Sequence, residues 1–107
     1  MDRSELRILA QARFGDMVKT VVDIARGIMA AGGELHSDEE ALLLEDGSLQ
    51  RDLWGINLYP DESGDGWIEF DSMINVRPSE NNRSRDVESA DTRDQIRRAV
   101  HALVSDA

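Results

Sequence analysis

The spacing of apolar residues changes period several times along the chain. Ser4 precedes Glu5, Leu6, Ile8, Leu9, Ala12 and Arg13, a helical spacing with a serine cap, and Gly15 follows Phe14 as a stop. The next stretch, DMVKTVVDIARGIMAAGGELH, fits two periods. Met17, Val18, Val21, Ile24, Ala25, Ile28 and Met29 line one face of a helix ended by Gly32 and Gly33, but Val18, Thr20, Val21, Val22 and Ile24 form a β-branched run. Gly27 would cost an interior helix about 1 kcal/mol, and Arg26-Gly27 sits where a tight turn belongs, so a hairpin is favoured. A turn centred there sets Val18 opposite Leu35, Val22 opposite Ala31 and Ile24 opposite Met29 on one face. Lys19, Asp23, Glu34 and His36 fall on the other, with Lys19 facing Glu34 as a cross-strand ion pair.

Ser37 then caps DEEALLLEDG, Glu40 completes a capping box, Asp38 and Glu39 suit the positive end of the helix dipole, and Gly47 ends the helix. LWGINLYP alternates Trp54, Ile56 and Leu58 with Gly55, Asn57 and Tyr59, and DESGDG is a turn cluster. After it Ile68, Phe70, Ile74 and Val76 alternate with Glu69, Asp71, Asn75 and Arg77 until Pro78 breaks the run. With the turn at 61–65, Asn57 lies opposite Glu69 and Gly55 opposite Asp71, where the missing side chain leaves room beside an acid. Asp91 opens a last helix carrying Ile96, Val100 and Leu103 on one stripe.

This order of elements predicts an α+β fold of two layers: an antiparallel sheet of about four strands, built from two hairpins, with helices packed on one face. The length of 107 residues fits a single domain, 1–107. The helices take the even-numbered apolar set Trp54, Ile56, Leu58, Ile68, Phe70, Ile74 and Val76, and the odd-numbered set is left for solvent or a partner.

Composition narrows the function classes. A hydrophobic fraction of 40% with 32% charged residues is ordinary for a globular chain, and neither a long apolar run nor an apolar leader is visible, so a soluble cytoplasmic protein without a membrane role is expected. The lack of cysteine removes disulfides, thiolate nucleophiles and Cys-based zinc sites, in keeping with a reducing compartment. The formal charge of −10 is concentrated: residues 34–71 hold twelve acids against one base, Arg51. That acidic middle repels nucleic-acid phosphates and anionic membranes and favours cations or a basic partner surface. Arg77, Arg83, Arg85, Arg93, Arg97 and Arg98 are interleaved with five acids over residues 77–98, so this end is mixed and not a basic stripe.

Three places could carry chemistry. In GGELHSDEE, Glu34 and His36 share a strand face and are weak metal-ligand candidates, which Glu69 or Asp71 could complete; the plain reading pairs Glu34 with Lys19 and leaves a structural histidine. In SENNRSRDVE, the candidate anion loop Asn81, Asn82, Arg83, Ser84 and Arg85 offers amides, guanidinium groups and a hydroxyl for phosphate or carboxylate, against the plain reading of a turn whose arginines pair with the acidic middle. The polar face Asn57, Tyr59, Glu69, Asp71, Asn75 and Arg77, with Trp67 and Met73 among them, suits a contact surface, a solvated face or, if burial separates two carboxylate pKa values, a catalytic cleft. Ser72 and Ser84 lack a histidine at triad distance in the sequence, and the glycines follow no phosphate-loop pattern.

The runs VVDIARGIMAAGGELHSDEEALLLEDGS, DLWGINLYP and IEFDSMINVRP with NRSR resemble an uncharacterised family of small prokaryotic proteins classed as a domain of unknown function, over roughly residues 17–97. GGELH, LWGIN and FDSMINVRP carry the likeness, which implies no activity and no cofactor. From the residues, the leading expectation is a non-catalytic binding or interaction module whose partner is another protein or a second copy. The alternative is a small divalent-metal-dependent hydrolase or anion-ligand-binding enzyme using the polar sheet face.

Overall fold

The computed structural model describes residues 1–105. Helix α1 (Arg3–Arg13) leads into β1 (Val18–Asp23) and β2 (Ile28–Ala31). After α2 (His36–Glu45) come β3 (Leu53–Leu58), the short β4 (Ile68–Glu69), two 3-10 turns at Met73–Asn75 and Pro78–Glu80, and α3 (Ala90–Leu103). The strands form one antiparallel sheet in the order β2-β1-β3-β4. The α+β class and the two hairpins are as the sequence implies.

The first hairpin exists, but its register differs by two residues. Asp23 Oδ1 accepts from the Ala25 and Arg26 amides at 2.9 Å each, and Gly27, at φ +65°, donates to the Asp23 carbonyl. This aspartate-closed turn occupies four residues, Ile24 to Gly27, where a two-residue turn was expected. Val22 therefore meets Met29, not Ala31; because the shift is even, the side chains of β1 and β2 keep their predicted faces, whereas Glu34, Leu35 and His36 lie beyond the strand. β2 ends at Ala31, so Val18 does not face Leu35 and Lys19 does not face Glu34. Their cross-strand neighbours on β3 are Leu58 and Asn57.

The main core lies on the even face of β3, where Leu6 and Ala10 of α1 and Ile96 and Val100 of α3 meet Val18, Val22, Ile56 and Leu58, all essentially unexposed. Burial of each such large side chain contributes roughly 1.5–3 kcal/mol. Trp67, expected on the polar face, belongs to this core, with the Arg3 guanidinium 3.9 Å from its ring centre. The opposite face is not left open. Leu43 of α2 packs there on Val21 and Leu53, so one helix adds a partial third layer to the expected two.

Helix starts differ from the sequence reading at all three N-termini, the last by two residues. Asp2, not Ser4, caps α1, in a reciprocal pair with Glu5. α2 begins at His36 with Leu35 at the cap position and no side-chain cap, so Ser37 and Glu40, expected to form a capping box, both lie inside the helix, while His36 turns into the sheet and Glu39 reaches back to Gly33. Ser89 caps α3 through the Thr92 amide.

Candidate functional site

The stretch after β4 explains the polar face. Asn57 pairs with Glu69 as the alternation requires, but the strand stops there and Gly55 never meets Asp71. In its place the Asn75 carboxamide accepts from the Gly55 amide at 2.8 Å and donates to the Gly55 carbonyl at 2.9 Å, so a side chain completes the ladder. The space freed by the missing side chain at Gly55 is taken by Ser72, whose Cβ and Oγ lie 2.5 Å from where a Cβ would stand. Ser72 is buried and Met73 exposed as alternation predicts, but Asn75 and Arg77 are buried and Val76 is exposed, opposite to it.

Most of the predicted site residues are committed to holding this segment. Asn82 donates to the carbonyls of Asn75, Ser84 and Asp86 and accepts from the Glu88 amide, which makes it the hub of residues 75–88. Asn81, at φ +62°, turns the chain after Glu80. Arg77 does not reach Asp71: it donates to the carbonyls of Gln50 and Leu53 at 2.6 and 2.9 Å, lies over the Trp54 ring at 4.0 Å, and has Glu80 at 3.7 Å. Burial lowers its pKa, opposed by Glu80 and Glu40. It clamps the chain entering β3.

The anion loop does receive an anion, one of the chain's own. A single oxygen of Glu88 accepts from the Arg83 amide, the Ser84 amide and the Ser84 hydroxyl at 2.8 Å each, and these bonds draw its pKa down. Arg85 pairs with Asp71 at 2.6 Å. Glu69 accepts from Asn57 and from the Tyr59 hydroxyl, and burial together with Glu69 pushes the tyrosine up to about 12.

What remains is a small hollow of about 150 Å³ between the start of α2 and the 3-10 turn, lined by Lys19, Leu35, His36, Ser37, Ser72, Met73, Ile74 and Arg85. His36 Nε2 is 2.8 Å from the Ile56 carbonyl, so this nitrogen carries the proton and Nδ1 keeps its lone pair. Burial lowers the histidine pKa and holds the ring neutral. Glu34 and His36, the weak metal candidates, diverge: His36 is buried, and Glu34 is exposed with no hydrogen bond or ion pair within the described residues. Among those residues no group of three or more His, Asp or Glu side chains is placed to hold a metal ion. Sequence reasoning missed Lys19 and Ser72 as lining residues, because each was read within a strand ladder that the chain does not form.

Glu39 was also missed as a buried acid, although its spacing from His36 and Leu43 places all three on one helix face. The side chain is 4% exposed, its Oε2 accepts from the Gly33 amide at 3.0 Å, and burial raises its pKa to about 8. The unfolded chain loses this proton near the ordinary glutamate value of 4.5, so between about pH 4.5 and 8 the folded state binds more protons and stability falls as pH rises. Glu39→Gln keeps an acceptor for Gly33 without a charge. It should flatten that decline and stabilise the protein by about 1–3 kcal/mol at pH 8, measured by urea denaturation from pH 5 to 8. A mutant whose pH profile parallels the parent's would remove the protonated carboxyl.

No helix among the described residues is long and apolar enough to cross a membrane. No curated protein and no solved structure matches the chain. A family model described as "Protein of unknown function (DUF5674)" matches residues 1–103, a span that includes the whole sheet and its polar segment. The chain belongs to that family.

Proposed function

We propose that the protein is a non-catalytic binding or interaction module, with the rim of the Lys19–His36–Arg85 hollow as its recognition surface. The observation that carries this reading is the pair Met73 and Leu35, 65% and 51% exposed, standing beside the ammonium of Lys19 and the guanidinium of Arg85 in an otherwise acidic region. Such a rim suits a group that is anionic at one end and apolar at the other. The polar residues that would do chemistry are already engaged: Asn75, Arg77 and Asn82 hold main chain, and Asp71 holds Arg85. A metal-dependent hydrolase has less support, since Glu34 is exposed while His36 is buried and no three-ligand cluster forms among the described residues. A cytoplasmic setting accords with the cysteine-free composition, and the net charge of −10 argues against a nucleic-acid partner.

A protein-observed NMR titration with aliphatic and aromatic carboxylates tests the surface. Binding should perturb the amides of Lys19, Leu35 and Met73 and weaken at least tenfold in Met73→Asp, a change on an exposed side chain that leaves the core intact. Perturbations elsewhere in the molecule would dismiss this rim. Hydrolysis of an ester or phosphoester panel with Mn²⁺, lost in His36→Ala, would replace the binding module with the enzyme.

A further inference from the structure

We propose that the hollow between the end of β2 and the first half of α2 binds a small primary amine, with the ammonium on the Glu39 carboxylate and the alkyl stem against Leu42, Ala30 and Ala31. This site is separate from the Lys19–His36–Arg85 hollow, and its assignment does not depend on that reading.

The hollow has a volume of about 460 Å³, within the range of small-molecule sites, and its walls are Ala30 and Ala31, the two glycines that follow, and Glu39 and Leu42 of α2. Glu39 is the feature that asks for a ligand. Only 4% of it is exposed, its Oε2 accepts from the Gly33 amide at 3.0 Å, and its Oε1 has no hydrogen-bond partner among the described residues. A buried acid left half bonded is costly, and what it lacks is a donor. The nearby cations do not supply one: Arg13 donates to the Gly32 carbonyl at 2.8 Å, and the Lys19 ammonium lies 5.3 Å from the centre of the Phe14 ring. These two charges and the Gly33 amide draw the Glu39 pKa down and Asp38 pushes it up, but burial outweighs them all.

Close approach is built in at Gly33, where a Cβ would stand 2.8 Å from Cγ and 3.2 Å from Oε2 of Glu39. Oε1 is screened from water, and the soft last torsion of a glutamate lets it swing toward an arriving donor while Gly33 holds Oε2. Charge and shape then select an amine. Asp38, exposed beside Glu39, adds a second negative charge, and no cation stands in the lining. Leu42, 59% exposed, and the two alanines give a short stem apolar cover. Glu39 is neutral below about pH 8 and an alkylamine is cationic there, so binding turns acid and ammonium into an ion pair and releases one proton to solvent.

Titration calorimetry with n-pentylamine should show saturable binding with a Kd of about 1 mM or tighter at about pH 8. At about pH 7, buffers of different ionisation enthalpy should reveal nearly one proton released per amine bound, and from about pH 8 to 6 the affinity should fall at least tenfold. Glu39→Gln keeps an acceptor for Gly33, and should abolish the proton release and weaken binding at least tenfold. n-Pentanol, the same stem without the charge, should not bind. No binding of the amine at about 20 mM, equal binding by Glu39→Gln, an affinity indifferent to pH, or pentanol binding as tightly as the amine overturns the proposal.

Discussion

Gly55→Ala is expected to destabilise the protein by about 3 kcal/mol, a large effect for one added methyl group. An ideal Cβ at this position stands 2.5 Å from both Cβ and Oγ of Ser72 and 3.1 Å from Cγ1 of Ile74. Ser72 has little freedom to yield: it is 1% exposed, its amide donates to the Arg85 carbonyl, and its hydroxyl oxygen accepts from the Ile74 amide. The added methyl must therefore displace main chain and pull the Asn75 carboxamide away from both Gly55 atoms it serves. Chemical denaturation measures the loss, and Ser72→Gly in the same background should recover much of it. A Gly55→Ala protein within about 0.5 kcal/mol of the parent would mean that the segment does not seat against β3 as described.

Asn82→Ala should cost about 3 kcal/mol or more by another route. Its Nδ2 serves three carbonyls and its Oδ1 takes the Glu88 amide, while the residue is 3% exposed. Truncation removes the partner of the buried Asn75 carbonyl and admits no ready substitute. Asn82→Asp tests the sense of the amide, since it places carboxylate oxygen where three carbonyls need a donor, and it should be at least as damaging as alanine. In both variants the urea midpoint should fall with the slope unchanged. A midpoint unmoved by Asn82→Asp would reverse the assignment of donor and acceptor ends.

The parts of this fold that sequence reveals are those with a periodic signal. The β-branched run from Val18 to Ile24, broken at Gly27, yields a hairpin, and the alternation around Asn57 and Glu69 gives the second hairpin its true register. The first register was off by two because a side-chain oxygen of Asp23 closes the turn, and an aspartate in a strand sequence does not announce that bond. Alternation from Ile68 to Val76 suggested a long strand, whereas Asn75 replaces strand main chain with a side-chain amide, which has no period at all. The triple Leu42, Leu43, Leu44 presents no single apolar face, so nothing in it assigned α2 to the far side of the sheet. As for the site, the polar residues were found and their employment was not. Whether a buried amide binds its own chain or a ligand depends on distances that spacing alone does not fix.

The segment from Phe70 to Glu88 makes its polar anchors to main chain at Gly55 and Leu53, which is already organised once β3 lies beside β1. In kinetic terms it is expected to close last and open first. The stabilisation it provides should then be missing from the folding transition state: Asn82→Ala would leave the folding rate nearly unchanged and speed unfolding by about a hundredfold for a loss of about 3 kcal/mol. Stopped-flow chevrons separate the limbs, and a slowed folding limb would instead put the hub in the nucleus. On this account the sheet determines how fast the native state is reached, and one asparagine in a loop determines how long it lasts.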